Sequence, residues 1–180
     1  MEIYLIRHTT PQIATGICYG ISDISVSDSF ADEAQRVLNL LPEKIDAIYS
    51  SPSFRCTILA EKINKNLCPD ISYKTNILLK ELNFGKWEMK QWNCIDKTEF
   101  DKWAEDVVNY KMPAGESFFD MNIRVNNFID ELLNNKIKTV LIITHAGVIR
   151  CFHARFNNVS LTDTIKIPVE YASVKYFLAL

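Results

Sequence analysis

The run Lys138–Thr144, KTVLIIT, constrains the fold more than any other stretch. After its lysine it holds only apolar residues and threonine, mostly β-branched. Nothing alternates with a polar residue, so neither face of such a strand can be wet. A strand buried on both faces belongs inside a parallel sheet covered by helices on both sides. Glu2–Arg7 (EIYLIR) reads as a second strand, and Ile45–Ser50 (IDAIYS) as a short third. Between them, Asp28–Leu41 places Phe30, Ala34, Val37, Leu38 and Leu41 at helical spacing, with Ser29 and Asp32 as a capped start and Pro42 as a stop. Ser51-Pro52 reads as an N-cap and a first-turn proline, opening a helix to about Asn66. Ile71–Lys74 and Ile77–Lys80 read as short extended pieces, Thr98–Val108 as a helix, and Ser117 with Asp120 as the capped start of another through Val125, Phe128, Ile129 and Leu132. Gly147–Phe156 predicts a helix and Ala172–Leu178 a last strand.

Strands alternating with helices predict an α/β domain, a three-layer α/β/α sandwich with a mostly parallel central sheet. No repeat, low-complexity tract or Gly/Ser linker interrupts residues 1–180, which predicts one domain. The net charge of −2 offers no basic footprint, so nucleic acid is not an expected partner. No apolar run reaches the length of a membrane span, and no basic segment with a long apolar region opens the chain; neither a membrane nor a signal peptide is expected. Five scattered cysteines without a C-x-x-C pair predict reduced thiols, a cytoplasmic protein and no structural zinc.

Ligands of open parallel sheets bind at the carboxyl ends of the strands, so the strand exits are where chemistry is sought. Arg7-His8 follows the first strand. Ser51-Pro52 and then Arg55 follow the next. Glu81 follows Ile77–Lys80, and His145 follows Lys138–Thr144. Each has an ordinary alternative: Arg-His as a chance dipeptide, Arg55 as a solvated helix residue, Glu81 as a loop charge, His145 as a satisfied buried histidine. Together they make a complete set for metal-free phosphomonoester hydrolysis. Two arginines present planar forks to phosphate oxygens. The helix start after Ser51-Pro52 adds free backbone N–H groups and a positive dipole end. One neutral imidazole attacks phosphorus. A second, protonated, holds the phosphoryl oxygens in the transition state. A carboxylic acid protonates the leaving oxygen and then activates water. His153, mid-helix without ligand-type neighbours, reads as structural.

The motifs LIRHTTP, SSPSFRCTILAE, ELNFGKWE, PAGESF and ITHAG, in that order, resemble the histidine phosphatase (phosphoglycerate mutase-like) superfamily over nearly the whole chain. The resemblance implies the α/β/α fold, His8 as phosphorylated nucleophile, Arg7, Arg55 and His145 as phosphate pocket, Glu81 as proton donor, and the backbone at Ala146 facing the phosphate. The chain departs from the family where relatives usually read Arg-His-Gly-Glu: here Arg7-His8 is followed by Thr9-Thr10. Thr9 is bulkier than glycine and carries a hydroxyl. Ala14, with Thr15 beside it, stands where relatives carry a phosphate-contacting asparagine, and Gly16, Gly20 and Asp23 match the family's next loop in part. The short chain and the RHTTP…GICYGISD opening resemble the α-ribazole-5′-phosphate phosphatase branch. That implies a flat leaving group, for which Tyr19, Phe84, Trp87 and Trp92 are the stacking candidates, each with core packing as its alternative. The expected partner is a small-molecule phosphate ester, with no cofactor and no metal. Phosphatase or mutase action on another small phosphate ester, and a non-catalytic phosphate-recognising module, are the alternatives. The sequence is silent on oligomeric state.

Overall fold

In the computed structural model, which describes residues 1–179, the buried run is the centre of the sheet. Strand β4 (Thr139–Thr144) has all six residues buried. It lies between β1 (Glu2–Arg7) and β2 (Ala47–Ser50), parallel to both. Short β3 (Lys74–Thr75) extends the sheet beside β2, and β5 (Val174–Leu178) closes the other edge antiparallel to β1, giving the order β3-β2-β4-β1-β5. Alternate residues of the central strands face opposite ways. Ile3, Leu5, Val140 and Ile142 pack under α4 (Phe118–Leu133) and α5 (Ala146–Asn157). Ile6, Ile48, Leu141 and Ile143 pack under α1 (Phe30–Leu38) and α2 (Phe54–Leu67). This is the three-layer α/β/α sandwich with a mostly parallel sheet. Leu180 lies outside the described residues.

Several expected elements move for local reasons. Ile77–Leu79 is a 3-10 turn rather than an extended piece, because the Asn76 side chain accepts the Leu78 N–H and closes the chain on itself. Of the extended piece at Ile71–Lys74, only Lys74 joins the sheet, together with Thr75. The second helix begins two residues later than Ser51-Pro52. Its N-cap is Ser53, and Asp23, from the long loop after β1, accepts the Phe54 N–H at 2.7 Å. At α1 the N-cap is Ser29, yet its hydroxyl donates to Glu33 and Asp32 takes no part in a cap. The third helix, α3 (Lys97–Glu105), starts at an Asp96 cap and stops short of Val108. The Ser117–Asp120 capping box forms as expected. A four-residue α6 (Leu161–Thr164) follows α5.

Candidate active site

Parallel pairing brings the two histidines together. Arg7 of β1 is in register with Thr144 of β4, so the next residues, His8 and His145, emerge side by side with ring centroids 5.1 Å apart. Both are buried. His8 Nδ1 lies 2.7 Å from the Thr9 carbonyl, which can only accept, so Nδ1 carries the proton. Its Nε2 then has a free lone pair, and Arg55 Nε donates to it at 3.3 Å. The same logic assigns His145. Arg55 Nη2, only a donor, lies 3.3 Å from its Nδ1, so its proton sits on Nε2 and reaches the Ser51 hydroxyl at 2.8 Å. Burial, and after it the Arg55 charge, hold His8 well below the usual imidazole range. For His145 burial leads, followed by repulsion from His8 and the nearby arginines. The second imidazole is therefore neutral in this pocket, not protonated as the residue types suggested.

Arg55 is buried behind His8 and does not line the cavity; the same holds for His145. Besides His8 and His145, its guanidinium donates to the carbonyls of Gly20 at 2.6 Å and Ser22 at 2.8 Å. Those two residues are held in turn by Glu88, whose carboxylate accepts the backbone N–H groups of Gly20, Ile21 and Ser22. A side chain at Gly20 would strike the Leu82 carbonyl, whose oxygen lies 1.8 Å from where a Cβ would stand, so glycine is what lets this loop sit against the Glu81–Leu82 segment. Arg7 stacks its guanidinium 3.7 Å from the centre of the Tyr171 ring and donates to the Val169 carbonyl. Its Nε is buried without a protein partner.

Glu81 stands at the N-terminus of α5, its carboxylate accepting the Gly147 N–H at 3.3 Å and the Leu82 N–H at 3.0 Å. The segment behind it is tied down by Arg124, which donates to the carbonyls of Leu78, Lys80 and Glu81 and pairs with Glu116 at 2.7 Å. Free N–H groups were expected at the start of α2, but Asp23 occupies that end. The helix start that meets the cavity is that of α5, through Ala146 and Gly147.

These groups open into a cavity of about 330 Å³. Arg7, His8, Glu81 and Ala146 form one end. Tyr19, Phe84, Trp92 and Trp103 form an aromatic wall, in which Trp92 and Trp103 stack at 5.7 Å. Trp87 is not part of it; the ring is 1% exposed and packs in the core. Thr15 is exposed and does not line the cavity, so it does not replace the asparagine. Thr9 is buried and does not line it either, and its hydroxyl has no protein partner. His153 is structural, with Nδ1 bonded to Asn157 and its ring edge-on to Phe177.

Sequence reasoning missed Glu88, Trp103, Arg150 and Tyr171, and took Ser51 for a helix cap rather than the partner of His145. Tyr171 had a findable signal. A last strand running antiparallel enters the sheet at the end where the others leave, so the residues just before it land beside Arg7 and His8. The Ala172 N–H donates to the His8 carbonyl accordingly.

The sequence profile of the histidine phosphatase superfamily (branch 1) matches residues 3–178. The chain belongs to the histidine phosphatase superfamily. It is an enzyme of the phosphoric monoester hydrolase type. Among its relatives, phosphoserine phosphatase 1 of Hydrogenobacter thermophilus is 24% identical over 179 residues, covering 96% of this chain and 84% of the relative. Adenosylcobalamin/alpha-ribazole phosphatase of Salmonella typhimurium is 26% identical over 161 residues, covering 86% and 79%. The crystal structure of the alpha-ribazole phosphatase from Shigella flexneri superposes with a TM-score of 0.88 at 23% identity, over 98% of this chain and 89% of that one, a likeness of fold. Among the described residues no helix is long and apolar enough to cross a membrane.

Proposed function

We propose that this histidine phosphatase works without a metal, through a phosphohistidine on His8, and that its substrate is α-ribazole 5′-phosphate. The observation that carries the mechanism is the His8–Thr9 hydrogen bond. By holding the proton on Nδ1 it leaves Nε2 its lone pair, which Arg55 Nε meets at 3.3 Å and releases as phosphorus approaches. Nε2 attacks phosphorus, and the N–P bond forms as the ester P–O bond breaks. Glu81 gives its proton to the departing oxygen, which leaves as an alcohol. Water then enters and gives a proton to Glu81 as its oxygen attacks phosphorus. The P–N bond breaks, its electron pair returns to Nε2, and inorganic phosphate departs. Arg7, with an unused buried Nε–H, and the start of α5 at Ala146 meet the phosphate oxygens. Arg55 and His145 hold His8 from behind, Arg55 through its bond to Nε2 and His145 through its ring. All five residues being present argues against a non-catalytic module, which needs neither nucleophile nor acid.

The aromatic wall of Tyr19, Phe84, Trp92 and Trp103 suits a flat leaving group, and relatives named for α-ribazole support that choice. One observation favours a second reading. Arg150 lines the same cavity, and its only protein partner among the described residues is the Ile167 carbonyl, which takes Nε and Nη2. A half-buried guanidinium with N–H groups to spare suits a leaving group bearing its own anion, as in phosphoserine. Steady-state kinetics on α-ribazole 5′-phosphate, phosphoserine, 3-phosphoglycerate and sugar phosphates, with EDTA present, tests both. The first reading expects the highest kcat/KM for α-ribazole 5′-phosphate and no loss with EDTA. A preference for the carboxylate-bearing esters that disappears in Arg150→Met establishes the second. Strict need for a divalent ion overturns the mechanism.

A further inference from the structure

Glu33 is a carboxylate that the chemistry above does not use, yet it is 7% exposed on α1. Both its oxygens turn to Thr10: Oε2 accepts the Thr10 N–H at 2.7 Å, and Oε1 accepts the Thr10 hydroxyl at 2.7 Å. Ser29 adds a third bond at 3.0 Å, and Arg36 stands 4.0 Å away. The peptide unit joining Thr9 to Thr10 is thus held at both ends. Its N–H points into the Glu33 carboxylate, and its carbonyl accepts the His8 Nδ1 proton.

We propose that Glu33 is a positioning residue that sets the tautomer of His8 through this peptide. A carboxylate on the N–H polarises the amide and makes its carbonyl a stronger acceptor. It also fixes the plane of the peptide, since turning the carbonyl away from His8 would break the bond to Glu33. Arg55 also favours a bare Nε2, but its contact is long at 3.3 Å and must yield when phosphorus approaches that nitrogen. During attack the Thr9 carbonyl alone keeps the proton on Nδ1. Thr10 supplies both donors that receive this carboxylate, its backbone N–H and its hydroxyl.

The inference rests on His8 as nucleophile for its kinetic consequence, though not for its spectroscopic one. The experiment combines ring 15N NMR of His8 in the full chain with aryl phosphate kinetics and vanadate affinity. Wild-type His8 shows a protonated Nδ1 and a bare Nε2. Glu33→Ala moves the two ring signals toward each other and lowers kcat about tenfold, with vanadate affinity within about twofold. Glu33→Gln, which keeps the shape and loses the charge, falls between at roughly threefold. Thr10→Val, which keeps the backbone bond, stays closest to wild type. The proposal is overturned by a wild-type proton on Nε2, or by unshifted His8 signals with unchanged kcat in the glutamate variants. Glu33→Gln decides alone if the alanine protein does not fold. Turnover surviving in His8→Ala would remove the nucleophile and leave the tautomer result standing as its own test.

Discussion

His8 and His145 are both held neutral by burial and by positive neighbours, and this makes acid costly to the fold. Above the ordinary imidazole pKa of about 6.5 both are neutral whether folded or not, and contribute no slope. Below it the unfolded chain takes up protons that the folded chain refuses, so stability falls as pH drops. Each histidine contributes up to about 1.4 kcal/mol per pH unit. The window between about pH 6.5 and 5 separates the histidines, His153 with its own lowered imidazole among them, from the carboxyls of Glu33, Asp46 and Asp120, which lose their stabilising contribution only as pH falls below the usual carboxyl range. Urea unfolding at several pH values in that window should show this slope, and His145→Asn should reduce it; an unchanged slope in the variant would contradict the assignment. Glu81 is tested by leaving group. Glu81→Gln should slow hydrolysis of alkyl phosphates far more than of nitrophenyl phosphate, because a good leaving group needs no proton. Equal losses would take the acid role away from it.

At the scale of elements, the site depends on loops gripping one another. Glu88 follows a 3-10 turn (Gly85–Trp87), gathers the N–H groups of residues 20–22, and those residues present their carbonyls to Arg55. Glu88→Gln should lower kcat/KM about tenfold, and combined with Arg55→Ala should cost little beyond Arg55→Ala alone. Additive losses would mean that Glu88 acts elsewhere. The start of α5 is as tightly built: a Cβ at Gly147 would lie 2.3 Å from Glu81 Oε1, so Gly147→Ala should displace the carboxylate and reproduce the leaving-group selectivity of Glu81→Gln. Legibility follows the same division. The strand exits at Arg7-His8, Ser51 and His145 and the capping box at Ser117 could be read from the sequence, because periodicity and capping are local; Glu81 was placed after an extended piece that is a 3-10 turn. The loop grip could not, since nothing local links Glu88 to Gly20, or Glu33 to Thr10. The helix start at Ser53 was misread because its cap comes from Asp23, 31 residues upstream of Phe54. Trp87 and Trp92 look alike in sequence, and only the fold sends one to the core and the other to the cavity.

On the scale of the whole molecule, one sheet edge collects every reacting group. Parallel β1 and β4 deliver the two histidines, and antiparallel β5 returns Tyr171 to stack on Arg7. The rigidity of that edge comes from the fully buried β4, so Ile142→Ala should cost about 2–5 kcal/mol in unfolding free energy, measured by denaturant titration. All five cysteines are free thiols; Cys56 packs its sulfur 3.6 Å from His145 Nε2, and burial pushes Cys18 and Cys56 up to about 12. The central claim is that a phosphoryl group passes through His8. Acid-labile, base-stable phosphoprotein trapped by rapid quench during aryl phosphate turnover, then digested for mass spectrometry, tests it most directly. The account predicts one phosphoryl group on the peptide containing His8, formed as fast as turnover requires and absent from a folded His8→Ala protein that still binds vanadate. Label on another residue, or full turnover with no phosphoenzyme formed at a competent rate, would contradict it.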